Sequence, residues 1–126
     1  LSNLRNNNKV NLYSDIFYSP IIIDELVLCI NKLLKNNHYG IFHIVGSERL
    51  SKYDFGLKVA NCFGLNSSLI KSIVYKEQLK SVLRPKDMSL SNLKLIETLG
   101  RVVPNLNMQL ATLKKQEKYR ELCIKK

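Results

Sequence analysis

The residues best suited to chemistry in this sequence lie in the segment that begins with Arg84 and Pro85. The proline ring fixes its own φ at about −65° and biases the residue before it toward an extended backbone, so Arg84 is expected to project from a defined point. A guanidinium group stays charged and can bind two phosphate oxygens at once, which suits a diphosphate. The pair indicates a phosphate site or, alternatively, an ordinary surface arginine before a helix. The full segment reads Arg84-Pro85-Lys86-Asp87-Met88-Ser89-Leu90.

The cysteines and histidines do not follow a metal-ligand pattern. Cys29, Cys62 and Cys123 are far apart and include no CxxC pair, which argues against a zinc site and against a disulfide framework. Cys29 and Cys62 lie in apolar helical patterns, where a thiol acts as a small buried hydrophobe. His43 lies in an apolar run, and we expect it to be a half-buried strand residue rather than a ligand.

The charge of the chain is strongly basic. Twenty basic and ten acidic residues give a formal net charge of +10, which makes a polyanion a reasonable partner. However, six of the basic residues fall within positions 114–126. A basic helical tail without an aromatic stacking platform is more typical of a solvated helix face than of a nucleic-acid surface. The charge therefore does not favour nucleic acid as the partner.

The length and composition predict one compact domain. The chain has 126 residues, of which 45% are hydrophobic, enough for a core of its own. No apolar run approaches the roughly 18 residues of a membrane-spanning helix, and the Asn-rich start lacks the apolar part of a signal peptide. We therefore expect a soluble, cytoplasmic protein without a membrane partner. Because it begins with Leu1 rather than Met, we also expect a processed chain or a piece of a longer protein.

The elements that would position these residues form an α+β pattern of about four to five helices and short strands. Apolar residues at three- and four-residue spacing predict the helices, and short runs rich in Ile, Val and Phe predict the strands. Ser51 and Asp54 resemble a capping box, and Gly64 and Gly100 are expected to end their helices. The predicted helices cover residues 21–35, 51–64, 93–99 and 107–124. The predicted strands cover residues 10–14, 39–45 and 69–75. We expect a loop before position 10, and either one helical turn or a loop at 76–81.

Four stretches occur in the same order as the motifs of a known family. Residues 15–21 (Asp-Ile-Phe-Tyr-Ser-Pro-Ile) resemble its D-Q-x-G-x-P-T turn, and residues 40–44 (Gly-Ile-Phe-His-Ile) resemble its G-I-Y-H strand. Residues 51–55 (Ser-Lys-Tyr-Asp-Phe) resemble the start of its S-W-x-E-F helix, and residues 84–90 resemble its R-P-x-x-S-x-L segment. The chain thus resembles the dTDP-4-dehydrorhamnose reductases, extended short-chain dehydrogenases that act on nucleotide-linked sugars. Ile16, Tyr18 and Ile21 stand where Gln, Gly and Thr are usual, so the sugar or the subfamily can differ.

The resemblance implies a fold and a role for the chain. Residues 1–126 would be the C-terminal substrate-binding portion of such an enzyme, with its N-terminal Rossmann part outside this sequence. Arg84 would contact the diphosphate of a nucleotide sugar, while Tyr18, Ser19 and Pro20 would form the wall near the sugar. The parent would be an oxidoreductase that uses NAD(P)H in the biosynthesis of deoxysugars or cell-surface polysaccharides.

The motifs through which this family binds its cofactor and transfers hydride do not occur in the sequence. The five glycines form no G-x-x-G-x-x-G cluster, and no Tyr is followed by Lys four positions later. We therefore assign no catalytic, cofactor-binding or metal-binding residue to this chain, and its own enzymatic activity stays open. The resemblance also implies an exposed apolar face, which either the Rossmann part covers or self-association buries.

A second hypothesis is a non-catalytic binding module. Such a module would be similar to the short-chain-dehydrogenase-like regulatory subunit of methionine adenosyltransferase, which shares the Arg-Pro segment. Its surface would then matter rather than a reaction, and the basic final helix would be a candidate contact face. A Tyr-x-x-x-Lys pair upstream in the parent gene would favour the enzyme, and the absence of that pair there would favour the module.

Overall fold

The structure is a computed structural model that describes residues 1–75 and 85–124. Within these residues it contains five α-helices and four short strands, which confirms the predicted α+β class. Arg84 and the predicted turn or loop at 76–81 lie outside the described residues. In chain order the elements are α1 (Ser2–Arg5), β1 (Val10–Tyr13), β2 (Phe17–Tyr18), α2 (Ile23–Lys35), β3 (Leu50–Ser51), α3 (Lys52–Phe63), β4 (Ile70–Ile73), α4 (Leu93–Leu99) and α5 (Leu106–Ile124).

The chain divides into two compact units. The first consists of Leu1–Tyr18 and Arg49–Ser89, and the second of Ser19–Glu48 and Leu90–Lys126. Each unit therefore combines two separate stretches of sequence, and each has its own cluster of buried apolar side chains.

The first unit is built on a parallel pair of strands. β1 pairs with β4 from Val10 opposite Ile70 to Tyr13 opposite Ile73. Helix α3 packs on these strands, and a Cβ added at Gly56 would lie 2.2 Å from Cδ1 of Leu12. Because glycine has no side chain, α3 can approach the strands this closely. The buried residues of this core are Leu4, Ala60 and Ile70.

Both ends of α3 follow the local rules that predicted them. The Oγ of Ser51 accepts a hydrogen bond from the backbone N of Asp54 at 3.0 Å and donates one to the Asp54 carboxylate at 2.6 Å. Gly64 takes a left-handed φ of 67° at the C-cap, where a residue without a Cβ is favoured. The predicted cap and stop of this helix are confirmed.

The second unit packs α2 against α4. Its buried core consists of Cys29 and Leu33 from α2, Leu95 from α4, and Val103 from the loop that follows α4. Buried Gln109 of α5 joins this loop to the start of α2, because it accepts from the backbone N of Ile22 at 2.7 Å and donates to the carbonyl of Pro104 at 2.6 Å.

Two predicted segments differ from the structure. The opening loop contains the short helix α1, whose Leu4 is buried in the first core, and this burial offsets the weak helix propensity of the Asn-rich sequence. The strand predicted at 39–45 is wrong, since no strand is assigned there. Phe42 and Ile44 contact the second core while His43, predicted to be half-buried, is exposed. A strand needs a hydrogen-bonded neighbour, and the described residues provide none at this position.

Three boundaries are also shifted. α2 begins at Ile23 rather than at residue 21. The predicted strand at 69–75 is β4, which covers Ile70–Ile73. The short antiparallel pair of β2 with β3, which joins Phe17 to Ser51 and Tyr18 to Leu50, was not predicted, because two-residue strands carry no periodic signal.

Candidate functional site

Residues 14–17, which we name the anchor segment, contact the chain on both sides of positions 76–84. On the preceding side, the backbone N of Ser14 donates to the carbonyl of Ile73 at 2.9 Å. On the following side, the backbone N of Phe17 donates to the carbonyl of Lys86 at 2.7 Å, and the carbonyl of Phe17 accepts from the N of Met88 at 2.9 Å. The anchor segment therefore fixes the chain shortly before and directly after the Arg84 position.

Asp15 is the member of the anchor segment that contacts both sides through its side chain. Its Oδ1 accepts from the backbone N of Tyr75 at 2.9 Å, and its Oδ2 lies 3.3 Å from the Nζ of Lys86. The hydrogen bond from Tyr75 lowers the pKa of Asp15, and the neighbouring Lys86 adds to this effect. The carboxylate is therefore charged at neutral pH. Beside it, the rings of Tyr13 and Tyr75 meet edge to face with centroids 5.7 Å apart.

Asp87 organises the residues that follow Pro85. Its Oδ1 accepts from the backbone N of Ser89 at 2.9 Å and from the Ser89 hydroxyl at 2.6 Å. Its Oδ2 accepts from Nε of Arg49 at 2.9 Å and lies 2.9 Å from Nη2 of the same arginine. These bonds, those from Ser89 first, lower the pKa of Asp87 to about 2. The Arg49 guanidinium also lies 3.6 Å from the centroid of the Phe17 ring, a cation–π geometry that fixes its plane.

The described charged side chains at this place pair with each other, Lys86 with Asp15 and Arg49 with Asp87. Pro85 and Lys86 are exposed directly after the Arg84 position, and the carboxylates of Asp15 and Asp87 are engaged by protein donors. No three His, Cys, Asp or Glu side chains in residues 1–75 and 85–119 come together in a way that could hold a metal ion. In the same part of the chain, no helix is both long and apolar enough to cross a membrane.

Tyr18, predicted near the sugar, lies in the first unit on the wall of an apolar cavity of about 390 Å³. Its ring meets that of Phe55 edge to face at 5.7 Å. Burial raises the pKa of Tyr18 to about 12, so its hydroxyl stays protonated and can donate a hydrogen bond. Other cavity residues include Leu12, Val59 and Ile70.

Ser19 and Pro20, also predicted near the sugar, belong to the second unit. The Ser19 hydroxyl is 3.5 Å from the carbonyl of Leu90. The carbonyl of Pro20 lies against Gly46, where an added Cβ would be only 1.9 Å from that oxygen. Both residues thus make contacts within their own unit, and Arg84 lies outside the described residues. Whether the four predicted residues act on one ligand stays a prediction.

The sequence analysis missed the polar contacts of Asp15, Arg49 and Asp87. Asp15 and Asp87 both lie inside motifs that were recognised, but their partners are distant in sequence, with 60 positions between Asp15 and Tyr75 and 38 between Arg49 and Asp87. The signal in the sequence that could have indicated these contacts is the position of the two acidic residues. Asp15 is the first residue of the motif at 15–21, and Asp87 lies within the motif at 84–90.

The comparison with protein families decides where the chain belongs. A family model described as the RmlD substrate binding domain matches residues 1–118. The chain belongs to the RmlD substrate binding domain family. A search of curated proteins finds no match.

Solved structures with the fold of this RmlD-type domain include several reductases. A dTDP-4-dehydrorhamnose reductase from Bacillus anthracis, solved with NADP, superposes with a TM-score of 0.81 at 18% identity over 91% of this chain and 41% of its own. A reductase ortholog from Clostridium acetobutylicum gives a TM-score of 0.79 at 19% identity over 93% of this chain and 42% of its own. A dTDP-glucose 4,6-dehydratase from B. anthracis, solved with NAD, gives 0.70 at 14% identity over 95% and 38%. The chain thus spans about two fifths of the length of each of these three structures.

Proposed function

We propose that this RmlD-type domain is the substrate-binding part of an NAD(P)-dependent reductase that acts on a dTDP-linked sugar in deoxysugar or cell-surface polysaccharide biosynthesis. The observation that carries the proposal is the family match over residues 1–118. The contacts of the anchor segment support it, because they fix the chain on both sides of an arginine suited to a diphosphate. In this proposal the domain binds and orients the nucleotide sugar, and it supplies neither the hydride nor the proton.

Arg84 holds the diphosphate in this proposal. Its guanidinium can bind two phosphate oxygens, and Pro85 restricts the backbone from which it projects. Tyr18, with a hydroxyl that stays protonated, and Ser19 and Pro20 contribute to the wall near the sugar. Such contacts orient the sugar for a reaction whose catalytic groups belong to the rest of the parent enzyme.

The test of this site is the affinity of the full-length protein for dTDP. A hydrogen bond between charged groups contributes about 1.5–3 kcal/mol, so Arg84→Ala should weaken dTDP binding about ten- to a hundredfold in calorimetry. Lys71→Ala, which removes an exposed cation of the first unit, is the matched control and should leave the affinity unchanged. An unchanged affinity in Arg84→Ala would overturn the assigned role.

One exposed face of α2 is apolar, which supports the proposal that another part of the protein packs against the second unit. Ile23, Val27, Ile30 and Leu34 recur at spacings of four, three and four residues and so share one helix face, and they are 63%, 48%, 40% and 68% exposed. A contiguous apolar stripe of this kind is rarely left in water. Since the chain spans 41% of the Bacillus anthracis reductase, we propose that the Rossmann part of the parent, which would bind NAD(P)H, covers this stripe.

The partner surface can be tested by one charge on the stripe. If the stripe is covered in the full-length protein, Leu34→Lys should lower the free energy of unfolding by about 2–4 kcal/mol, because it buries an unpaired charge. Asn31→Lys, on an exposed position of the same helix, is the control and should change it by no more than about 0.5 kcal/mol. A neutral Leu34→Lys would contradict a covered stripe, and loss of a dimer in Leu34→Lys would assign the stripe to self-association instead.

A further inference from the structure

Residues 41–45, which we name the unpaired segment, have the pattern of a strand without a neighbouring strand among the described residues. Ile41 and His43 are exposed, while Phe42 and Ile44 are partly buried against the core of the second unit. This alternation is typical of an extended chain whose side chains point in turn to two faces. The two strand pairs in the described part of the chain, β1 with β4 and β2 with β3, both lie in the first unit.

The start of α4 covers one edge of the unpaired segment. The Nζ of Lys94 donates to the carbonyl of Ile41 at 2.8 Å, and the Nδ2 of Asn92 donates to the carbonyl of Val45 at 3.2 Å. In an extended chain, the backbone N–H and C=O groups of alternate residues point to the same edge. The backbone groups of positions 41, 43 and 45 therefore point toward α4.

The opposite edge of the unpaired segment is open. The backbone N–H and C=O groups of Phe42 and Ile44 point to this edge, and no residue in the described ranges forms a backbone hydrogen bond with them. Unpaired donors and acceptors along the edge of an extended segment are a template for the addition of another strand. The backbone of the unpaired segment is thus arranged to bind a strand on one edge only.

The composition of the unpaired segment indicates which kind of sheet it fits. Its sequence is Ile-Phe-His-Ile-Val, so His43 is its one polar residue, and Ile41 on the outer face is 80% exposed. Strands with one face in water alternate apolar with polar residues, whereas strands of a parallel sheet are nearly continuous apolar runs because helices cover both faces. The segment therefore matches a strand of a parallel sheet.

We propose that the unpaired segment joins the parallel sheet of the parent's Rossmann part as an edge strand, bonded through the backbone N–H and C=O groups of Phe42 and Ile44. The chain spans 41% of the Bacillus anthracis reductase, so the remainder of a parent of that length is long enough for such a sheet. The inference deepens the proposed function and rests on it, because it names the backbone surface through which the domain binds the cofactor-binding part.

A second copy of the chain is a poorer occupant of the open edge. The second unit contributes no other strand within the described residues, so pairing between two copies would give a sheet of only two strands. Such a sheet is marginally stable in water, and it would leave the face that carries Ile41 uncovered. Addition to an existing parallel sheet avoids both costs.

The experiment is amide hydrogen exchange, followed by NMR on the full-length wild-type protein. For each amide, the rate in an unstructured chain divided by the measured rate gives a protection factor. We expect the factors of Phe42 and Ile44 to be at least about tenfold higher than that of His43, whose N–H points toward α4. Strand pairing protects alternate amides, whereas simple covering by another part of the protein protects consecutive ones, so His43 is the internal control.

A pair of variants gives a second reading. Ile44→Pro removes one N–H of the open edge, and Ile44→Ala is the matched control because it loses the same apolar side chain but keeps the N–H. The protection factor of the Phe42 amide should fall at least about tenfold further in Ile44→Pro than in Ile44→Ala, since the adjacent bond of the ladder is lost. If Ile44→Pro does not fold, the alternation in the wild type remains the reading.

Three outcomes would overturn the inference. Equal protection of Phe42, His43 and Ile44 would mean that the segment is covered without strand pairing, and rapid exchange of all three amides would mean that the edge stays open. Alternation that occurs in a dimer and disappears in the monomer would assign the edge to a second copy. If any of these is found while Arg84→Ala still weakens dTDP binding, this inference fails alone and the proposed function stands.

Discussion

The two units each contain an arginine–carboxylate pair, and the pairs differ in how far they are removed from water. In the second unit, Arg101 binds both oxygens of Glu25, at 2.7 and 3.1 Å, and the two side chains are only 26% and 16% exposed. In the first unit, Arg49 and Asp87 are 51% and 47% exposed, and Ser89 satisfies Asp87 as well. The largely buried pair of Arg101 and Glu25 is typical of ion pairs that stabilise a fold. The exposed pair of Arg49 and Asp87 is typical of ion pairs on a protein surface.

The surroundings of the two pairs lead to the same distinction. Glu25 lies in the first turn of α2 and Arg101 follows the left-handed Gly100 that ends α4, so this pair ties together the two helices that enclose Cys29. Burial raises the pKa of the Cys29 thiol, while Arg101 opposes that shift. Arg49, by contrast, stacks on the exposed side of the first unit against Phe17 of the anchor segment.

The largest expected effect in this comparison is that of Arg101→Ala. It leaves the carboxylate of Glu25 half-buried without its arginine, and we expect the free energy of unfolding to fall by about 2–3 kcal/mol in urea denaturation. Glu25→Gln combined with Arg101→Met should recover part of that loss, because no unpaired charge remains. A loss below about 0.5 kcal/mol in Arg101→Ala would remove the distinction between the pairs.

A smaller effect is expected for Arg49→Ala, the matched change in the first unit. Exposed ion pairs contribute about 0–1 kcal/mol, and salt screens them. The loss of stability in Arg49→Ala should therefore be under about 1 kcal/mol and should shrink further at about 0.5 M NaCl, whereas the loss in Arg101→Ala should largely persist. Equal salt sensitivity of the two variants would show that both pairs are effectively exposed.

The smallest expected effect concerns the pH dependence of stability, to which Asp87 should contribute at acid pH. Its pKa in the folded chain is about 2, below the ordinary value of 3.8, so its contribution to stability is complete above about pH 4 and is lost as the pH falls through 2. Between about pH 5 and pH 2.5, the unfolding temperature of the wild type should therefore fall more than that of Asp87→Asn. Parallel curves would mean that Asp87 is not held by Ser89 and Arg49 in solution.

The features that could be predicted from the sequence are those set by neighbours within a few residues. The helices from α2 to α5, the Ser51 cap and the glycine stops depend on apolar periodicity and on local hydrogen bonds. The strand predicted at 39–45 failed because a strand also needs a neighbour, which periodicity does not report. The bonds of Asp15 to Tyr75 and of Arg101 to Glu25 span 60 and 76 positions, so no local pattern could indicate them.

The family was recognised from the order of weak motifs, although none of them is specific alone. The match over residues 1–118 confirms that recognition. The site residues were harder to predict, because a motif identifies which residues recur but not which of them hold a ligand and which hold the backbone. Pro20 illustrates this, since its carbonyl packs against Gly46.

A crystal structure of the full-length protein with dTDP tests the central claim most directly. We expect diphosphate oxygens within about 3 Å of the Arg84 guanidinium. A diphosphate bound elsewhere on the protein, with Arg84 free of it, would contradict the claim.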